Sequence, residues 1–344
     1  MNFRPEMRGR KLLLKSLVVI LFTLVVIIYY THTDNLSKTD FEPSFIYECP
    51  SNSSSQHKNV HHVCFGEPRI FFVETSGVSV LNSRQACAIE STAHHNPSYQ
   101  VIVLMMSVKD IDFHHYLAEN LQKLPNVKFY RLNIEAFTYG TPIFEWYQAG
   151  KWKNSQWKAS HLSDSLRYLL MWKYGGMYLD LDIVALKSME NITNSAITEN
   201  WDRVAAGLLF FEKGHELMKR CMYDFAENYD PYNFVKNGPG IITKQIKELC
   251  DIDKIDKVSG AECDVDILPP EAAFPIPYDE WEKYFVPSSV NNVTERFRSS
   301  FLIHVWNKYS KSKKLIIGQS SLYEKAIEQN CPIVYKHAQR IGYI

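Results

Sequence analysis

One stretch constrains the fold of this chain more than any other: Ser163-Asp164-Ser165-Leu166-Arg167, then Tyr174-Gly175-Gly176-Met177-Tyr178-Leu179-Asp180-Leu181-Asp182. Leu166, Leu169, Leu170 and Trp172 recur at helical spacing, so Ser163 to Tyr174 reads as a helix packed on a sheet. Ser163 is the expected N-cap, and Gly175 stands where a left-handed C-cap belongs. Met177 to Leu179 then enters the sheet. Residues i and i+2 of an extended chain project to one side, which predicts that Asp180 and Asp182 converge as the strand ends. In open α/β sheets ligands gather at the carboxyl ends of the strands. Two carboxylates there suit a hard divalent cation that itself holds a diphosphate. A solvated turn is the plainer reading, but strand flanks the pair on both sides, where unpaired carboxylates are costly.

The surrounding pattern is that of an α/β domain. Ile70 to Val73, Val101 to Met106 and Val127 to Leu132 are continuous apolar runs, as in strands buried on both faces. Helices are expected at Ser83 to Thr92, Tyr116 to Lys123, Glu216 to Glu227 and Gly240 to Cys250. Trp146 to Trp157 has no clear period and reads as a loop; Leu268 to Pro277 reads as extended, and Ile303 to Trp306 as a short late strand. The alternation argues for a largely parallel sheet.

The first thirty residues differ in kind. Arg4, Arg8, Arg10, Lys11 and Lys15 precede a run from Ser16 to Tyr30 that carries no charge. Residues 12–30 are expected to form a transmembrane signal-anchor, with Lys15 snorkelling to the interface and Tyr29 and Tyr30 anchoring the far end. A cleaved signal peptide is disfavoured because bulky residues, not small ones, follow. The basic flank keeps residues 1–11 cytosolic and sends the rest to the lumen. Sequons at Asn35, Asn52, Asn191 and Asn292, and all 7 cysteines, lie beyond the anchor, as a luminal body requires. The cysteine count is odd, so at least one thiol is free or intermolecular. Residues 31–67 are polar and read as a stem, leaving 68–344 as the luminal domain. With 38 basic and 38 acidic side chains, there is no electrostatic footprint for nucleic acid.

Other residues carry chemistry in pattern with the acids. Asp164 and Arg167 share a helix face; Arg can fork onto diphosphate oxygens, and Asp can accept from sugar hydroxyls. His304, beside Trp306 and Asn307, is a candidate third metal ligand, since neutral imidazole joins carboxylates on Mn²⁺. Glu74-Thr75-Ser76, ending the first strand, could seat a nucleoside. Gly238-Pro239-Gly240 either presents backbone N–H groups or makes a plain turn.

Ser163-Asp164-x-x-Arg167 followed by Gly175-Gly176-x-Tyr178-Leu179-Asp180-x-Asp182 resembles the DxD-containing sugar-nucleotide glycosyltransferases. More narrowly, the chain is similar to the animal α1,4-glycosyltransferases, the family of globotriaosylceramide synthase and α1,4-N-acetylglucosaminyltransferase. The resemblance spans residues 68 to 335. It includes Ile70-Phe71-Phe72-Val73-Glu74-Thr75-Ser76, Gly238-Pro239, Phe274-Pro275-Ile276-Pro277, Trp281 through Tyr284-Phe285, and His304-Val305-Trp306-Asn307. It implies a GT-A-type, Rossmann-like nucleotide-sugar-binding domain behind a type II Golgi membrane anchor, and Mn²⁺-dependent, retaining transfer from a UDP-sugar donor. Asp180, Asp182 and His304 would serve the metal. Glu74, Thr75, Ser76, Asp164, Arg167, Asp180 and Trp306 would contact the donor, with Asp164, Arg167 and Asp180 the candidate catalytic residues. Galactose is the favoured sugar, N-acetylgalactosamine or N-acetylglucosamine the alternatives. The implied acceptor is a β-galactoside on a glycolipid such as lactosylceramide, or on a glycoprotein glycan.

Two rival classes are weighed against this. Asp180-Leu181-Asp182-Ile183-Val184 formally meets the haloacid-dehalogenase phosphatase signature, in which the first Asp is a nucleophile. That fold places its motif near the start of the domain, whereas three strands come first here. A luminal sugar-binding protein without turnover is the other, and would be marked by degenerate acids; all four polar positions are intact.

Overall fold

The structure is a computed structural model and describes residues 65–344, except Val108, Ser259 and Asn291. The expected signal-anchor and tail, nearly all of the stem, and the sequons at Asn35 and Asn52 lie outside the described residues. Among the described residues no helix is long and apolar enough to cross a membrane.

Strands β1 (Arg69–Glu74), β2 (Gln100–Met105), β3 (Val127–Arg131) and β4 (Gly176–Leu179) form the parallel half of a seven-stranded sheet ordered β3-β2-β1-β4-β7-β6-β8. Every residue of β1 is buried, because helices cover both of its faces. The other half comprises β6 (Ser195–Asn200), β7 (Arg203–Phe211) and β8 (Asp266–Leu268); β7 runs antiparallel to β4 and to β6. The expected α/β class with a mixed, largely parallel sheet is what folds. After β1 the chain winds outward to β2 and β3, then returns to the other flank of β1 as β4. That reversal makes a switch point between the carboxyl ends of β1 and β4, where α/β sheets bind ligands.

Four helices frame this point: α1 (Ser83–His95), α2 (Lys158–Tyr174), α3 (Glu216–Asn228) and α4 (Ile241–Leu249). Asn82 caps α1 through a capping box with Gln85. Helix α2 starts earlier than its sequence suggests, so Ser163 lies in its interior and caps nothing. Tertiary bonds extend its first turns: the Thr75 hydroxyl donates to Ala159 O at 2.7 Å, and His161 Nδ1 meets Tyr229 Oη at 2.8 Å. Gly175 does end the helix at positive φ, 67°, but with ψ at −174° it is extended rather than left-handed helical. Gly176 follows at φ 99°, where a Cβ would stand 2.5 Å from Arg69 O; only glycine lets the chain turn this tightly into β4.

The expected loop at Trp146 to Trp157 instead holds the end of a one-turn-plus helix, Pro142–Gln148, and a 3-10 turn, Lys151–Asn154. Pro142 sets its first turn, and Trp146 anchors it against Phe225 and Tyr229 at 4.8 and 5.1 Å. Pieces this short show no period. The late strand β9 (Leu302–His304) pairs antiparallel with β5 (Ile183–Ala185) in a separate small sheet. Leu268 to Pro277 is only partly extended, since Pro270–Ala272 makes a 3-10 turn. A disulfide between Cys87 and Cys331 ties α1 to the C-terminal helix Pro332–Ile341, and Cys250–Cys263 closes a shorter loop. Among the described residues Cys221 is the free thiol, and it is buried.

Candidate active site

Asp180 and Asp182 do not sit on a continuous strand. Asp180 follows β4 directly and Asp182 lies in the turn leading to β5, so the turn, rather than strand alternation, brings them together. Pairing of β5 with β9 sets Ile183 opposite His304, across a sequence gap that no local pattern spans. His304 Nε2 lies 3.2 Å from Asp182 Oδ1. Val305 N–H donates to Asp182 O at 2.9 Å and Asn307 N–H to Asp182 Oδ2 at 2.7 Å. Ligand atoms of Asp180, Asp182 and His304 all fall within 4.8 Å of one another.

Behind the acids lies Arg167, 5% exposed. Its Nη2 is 3.2 Å from both Asp164 Oδ1 and Asp180 Oδ1, and donates to Ser163 Oγ at 3.1 Å. The guanidinium also covers the Tyr178 ring at 4.8 Å. Tyr178 Oη donates to Asp180 Oδ1 at 2.9 Å and meets Ser163 Oγ at 2.6 Å. Arg167 is therefore turned onto carboxylates, with its charge facing Asp180 from beneath. Asp164 is covered by the π-helical turn Lys236–Gly240, where a Cβ on Gly238 would come 2.7 Å from its Oδ1. Gly240 N–H in this turn bonds to Val235 O at 2.9 Å, so the turn reading of Gly238-Pro239-Gly240 holds for that group.

The electrostatics are unbalanced. Three carboxylates face one guanidinium and one imidazole in a mostly buried space. Burial pushes Asp164 up to about 6, against the pull of Arg167. Burial likewise raises Asp180, with Asp182 adding to the shift and Arg167 opposing it. For Asp182 burial acts in the same sense, yet His304 and the Asn307 N–H outweigh it and hold this carboxyl below its usual range. His304 is raised: burial works against its charge, and Asp182 more than compensates. A divalent cation among Asp180, Asp182 and His304 would neutralise the surplus carboxylate and displace the proton that His304 shares with Asp182. Two oxygens and an imidazole nitrogen are a donor set that Mn²⁺ accepts. The residues fit the group.

Glu74 ends β1 on the same edge of the sheet. Its Oε1 accepts from Ser76 N–H at 3.0 Å and from the Ser76 hydroxyl at 2.5 Å. Its Oε2 is buried with no hydrogen-bond partner among the described residues, an open acceptor at the switch point. Thr75 instead turns its hydroxyl to α2. Trp306 is 7% exposed, stacks on Phe274 at 5.0 Å, and donates from Nε1 to Ile276 O at 2.8 Å. Its φ of 55° is unusual for so bulky a residue and aims His304 and Asn307 at the same carboxylate.

Three participants escape a reading for chemistry. Tyr178 lies two residues before Asp180, so strand alternation could have placed it on the same face. Asn307 acts through its backbone, which no side-chain reading finds. Gly207 has no local signal: it opposes Asp180 across β4 and β7, where Asp180 N–H donates to Gly207 O at 2.9 Å.

Comparison with known proteins now bears on these residues. Residues 82–199 match a glycosyltransferase sugar-binding region containing a DXD motif, and residues 210–338 an alpha 1,4-glycosyltransferase conserved region. The first supplies Asp164, Arg167, Asp180 and Asp182; the second supplies His304 and Asn307. The lactosylceramide 4-alpha-galactosyltransferase of Mus musculus is 32% identical over 91% of this chain and 86% of its own length. That of Gorilla gorilla gorilla is 34% identical, over 78% of this chain and 82% of its own. The human alpha-1,4-N-acetylglucosaminyltransferase is 26% identical over 83% and 84%. Two matched regions that meet at one acid–histidine cluster, within relatives of this identity and coverage, place the chain in the DXD-containing α1,4-glycosyltransferase family, as a hexosyltransferase.

Proposed function

We propose that this chain is a GT-A-type, Mn²⁺-dependent, retaining α1,4-glycosyltransferase that moves galactose from UDP-galactose to a β-galactoside acceptor on a glycolipid. The observation that carries the reading is the convergence of Asp180, Asp182 and His304 within 4.8 Å in a member of this family. The acceptor and sugar follow the relatives named for lactosylceramide galactosylation, which are more similar to this chain than the N-acetylglucosaminyl relative. The family resemblance supports a Golgi location, and the N-terminal anchor reading supports a luminal domain.

In this reading the acceptor hydroxyl oxygen forms a bond to the anomeric carbon as the bond from that carbon to the UDP oxygen breaks. The hydroxyl proton leaves with a phosphate oxygen of UDP, on the face from which UDP departs. Asp180, Asp182 and His304 would hold Mn²⁺, which supplies Lewis-acid neutralisation of the charge growing on the diphosphate. Arg167 favours the ionised form of Asp180 and orients it, while Asp164 fixes Arg167. Glu74 Oε2 offers the acceptor that a ribose or uracil donor group requires, with Ser76 holding the carboxylate in place. Trp306 acts by positioning His304, at the edge of the donor.

The test is UDP release from UDP-galactose, UDP-N-acetylgalactosamine and UDP-N-acetylglucosamine, each with and without Mn²⁺, on lactosylceramide. Mn²⁺-dependent release with UDP-galactose is expected, abolished in Asp182→Asn with folding intact. Near-normal turnover of that variant at saturating Mn²⁺ would refute the metal assignment.

A further inference from the structure

Beside the acid–histidine cluster opens a cleft of about 720 Å³ between the β6–β7 hairpin tip, helix α4 and Tyr278. None of its lining residues takes part in the donor and metal arrangement, yet one chain of ring contacts reaches that arrangement. Tyr278 meets the Trp306 ring edge-on at 6.1 Å, and Trp306 lies 4.7 Å from the His304 ring. A molecule seated on Tyr278 would therefore lie two ring contacts from His304. Elsewhere in the lining Arg203 pairs with Glu199 at 2.8 Å.

The chemistry of the lining selects the molecule. Tyr278 and Tyr309 are 39% and 42% exposed and stack on each other at 5.9 Å, their planes 25° apart. Isolated exposed aromatics are unremarkable, but Tyr278, which lines the cleft, is steadied by its stack on Tyr309 and offers a flat surface to an apolar ring face. Facing it are an amide, a carboxylate and an amine, on Asn200, Asp202 and Lys247. This mixture of donors and acceptors suits the hydroxyls of a neutral sugar. No aliphatic side chain lines the cleft, which disfavours an acyl chain, and its cations Arg203 and Lys244 are already paired, with Glu199 and Asp224. The volume lies within the range of small-molecule sites.

We infer that this cleft is the acceptor subsite, binding a neutral saccharide with a sugar ring laid on Tyr278. The inference rests on the transferase reading above and adds to it where the acceptor binds and which side chain seats it. Tyr278 thus sets acceptor affinity, and the hairpin tip and α4 set which hydroxyl faces the donor.

The test compares full-length wild type, Tyr278→Ala, Tyr278→Phe and Asp202→Ala, with methyl β-lactoside as acceptor and UDP-galactose as donor in Mn²⁺. The expected result is an acceptor KM raised at least tenfold in Tyr278→Ala and several-fold in Asp202→Ala, with Tyr278→Phe close to wild type because the ring face remains. UDP affinity and melting temperature should match wild type in all three, which separates acceptor loss from misfolding. An unchanged acceptor KM in both Tyr278→Ala and Asp202→Ala would overturn the subsite while leaving the transferase reading intact. A folded wild type that binds no UDP in Mn²⁺ and transfers nothing would overturn the transferase reading, and the subsite with it.

Discussion

Replacing Gly207 with alanine tests how closely Asp180 must be held. The glycine is present for space: a Cβ there would stand 3.0 Å from Asp180 Cγ, and nearer still to Oδ2. Ordinary carbon contacts are about 3.5–4.0 Å, so the carboxylate would have to retreat by roughly 0.5–1 Å. It is not free to swing, because its Oδ1 is held by Tyr178 Oη at 2.9 Å and by Arg167 Nη2 at 3.2 Å. Misplacement of a reacting arrangement by about 1 Å costs on the order of 10²-fold in rate, or about 2.7 kcal/mol of transition-state stabilisation. The assay is initial-rate UDP release by the full-length protein, saturated with Mn²⁺ and UDP-galactose, with a melting curve run alongside. Gly207→Ala should lose about two orders of magnitude in kcat while melting within a few degrees of wild type. Turnover within threefold of wild type in the folded variant would refute the argument that Asp180 is held by steric complementarity to Gly207.

Further expectations follow from other contacts. Tyr178→Phe removes the hydroxyl shared by Ser163 and Asp180 and should weaken Mn²⁺ binding by about 10–100-fold, read by titrating Mn²⁺ against the melting temperature. His161 is buried and neutral between Tyr229 and Asn237, burial pushing its pKa down to about 4. The unfolded chain binds a proton near pH 6.5 that the folded chain refuses, so stability present above pH 6.5 is lost as pH falls toward 4. Allowing for solvent screening, the loss is about 2 kcal/mol; His161→Gln should flatten that part of the melting-temperature profile, and an unchanged slope would count against the assignment. Cys87→Ala with Cys331→Ala unties α1 from the C-terminal helix and should cost about 2–5 kcal/mol, measured by denaturant unfolding. A cost under 1 kcal/mol would mean that packing alone holds the helix.

Local pattern was enough for the class of fold. Strands β1, β2 and β3 carry continuous apolar runs because helices cover them on both sides, and that burial writes itself directly into composition. Gly175 was readable as the end of α2, but the demand for glycine at Gly176 comes from Arg69 O on the neighbouring strand β1, a contact that no local pattern shows. Where elements are made by tertiary contact, the pattern ran out. Helix α2 begins at Lys158 because Thr75 and Tyr229 hold its first turns from outside, through Ala159 O and His161, and the segment at Pro142–Gln148 is helical because Trp146 packs against Phe225 and Tyr229.

The same division runs through the site. The sequence alone marked Asp180 and Asp182 as a pair where a buried strand ends, with Asp164 and Arg167 one helix earlier, because residues two apart stay close whatever the backbone does and residues three apart share a helix face. Only the tertiary structure decided that Arg167 faces the carboxylates from beneath, that His304 reaches Asp182, and that Gly207 leaves room for Asp180. Those relations pass through the β5–β9 pairing and the β4–β7 register, where long-range strand pairing sets which side chains meet and no short-range spacing encodes the partner.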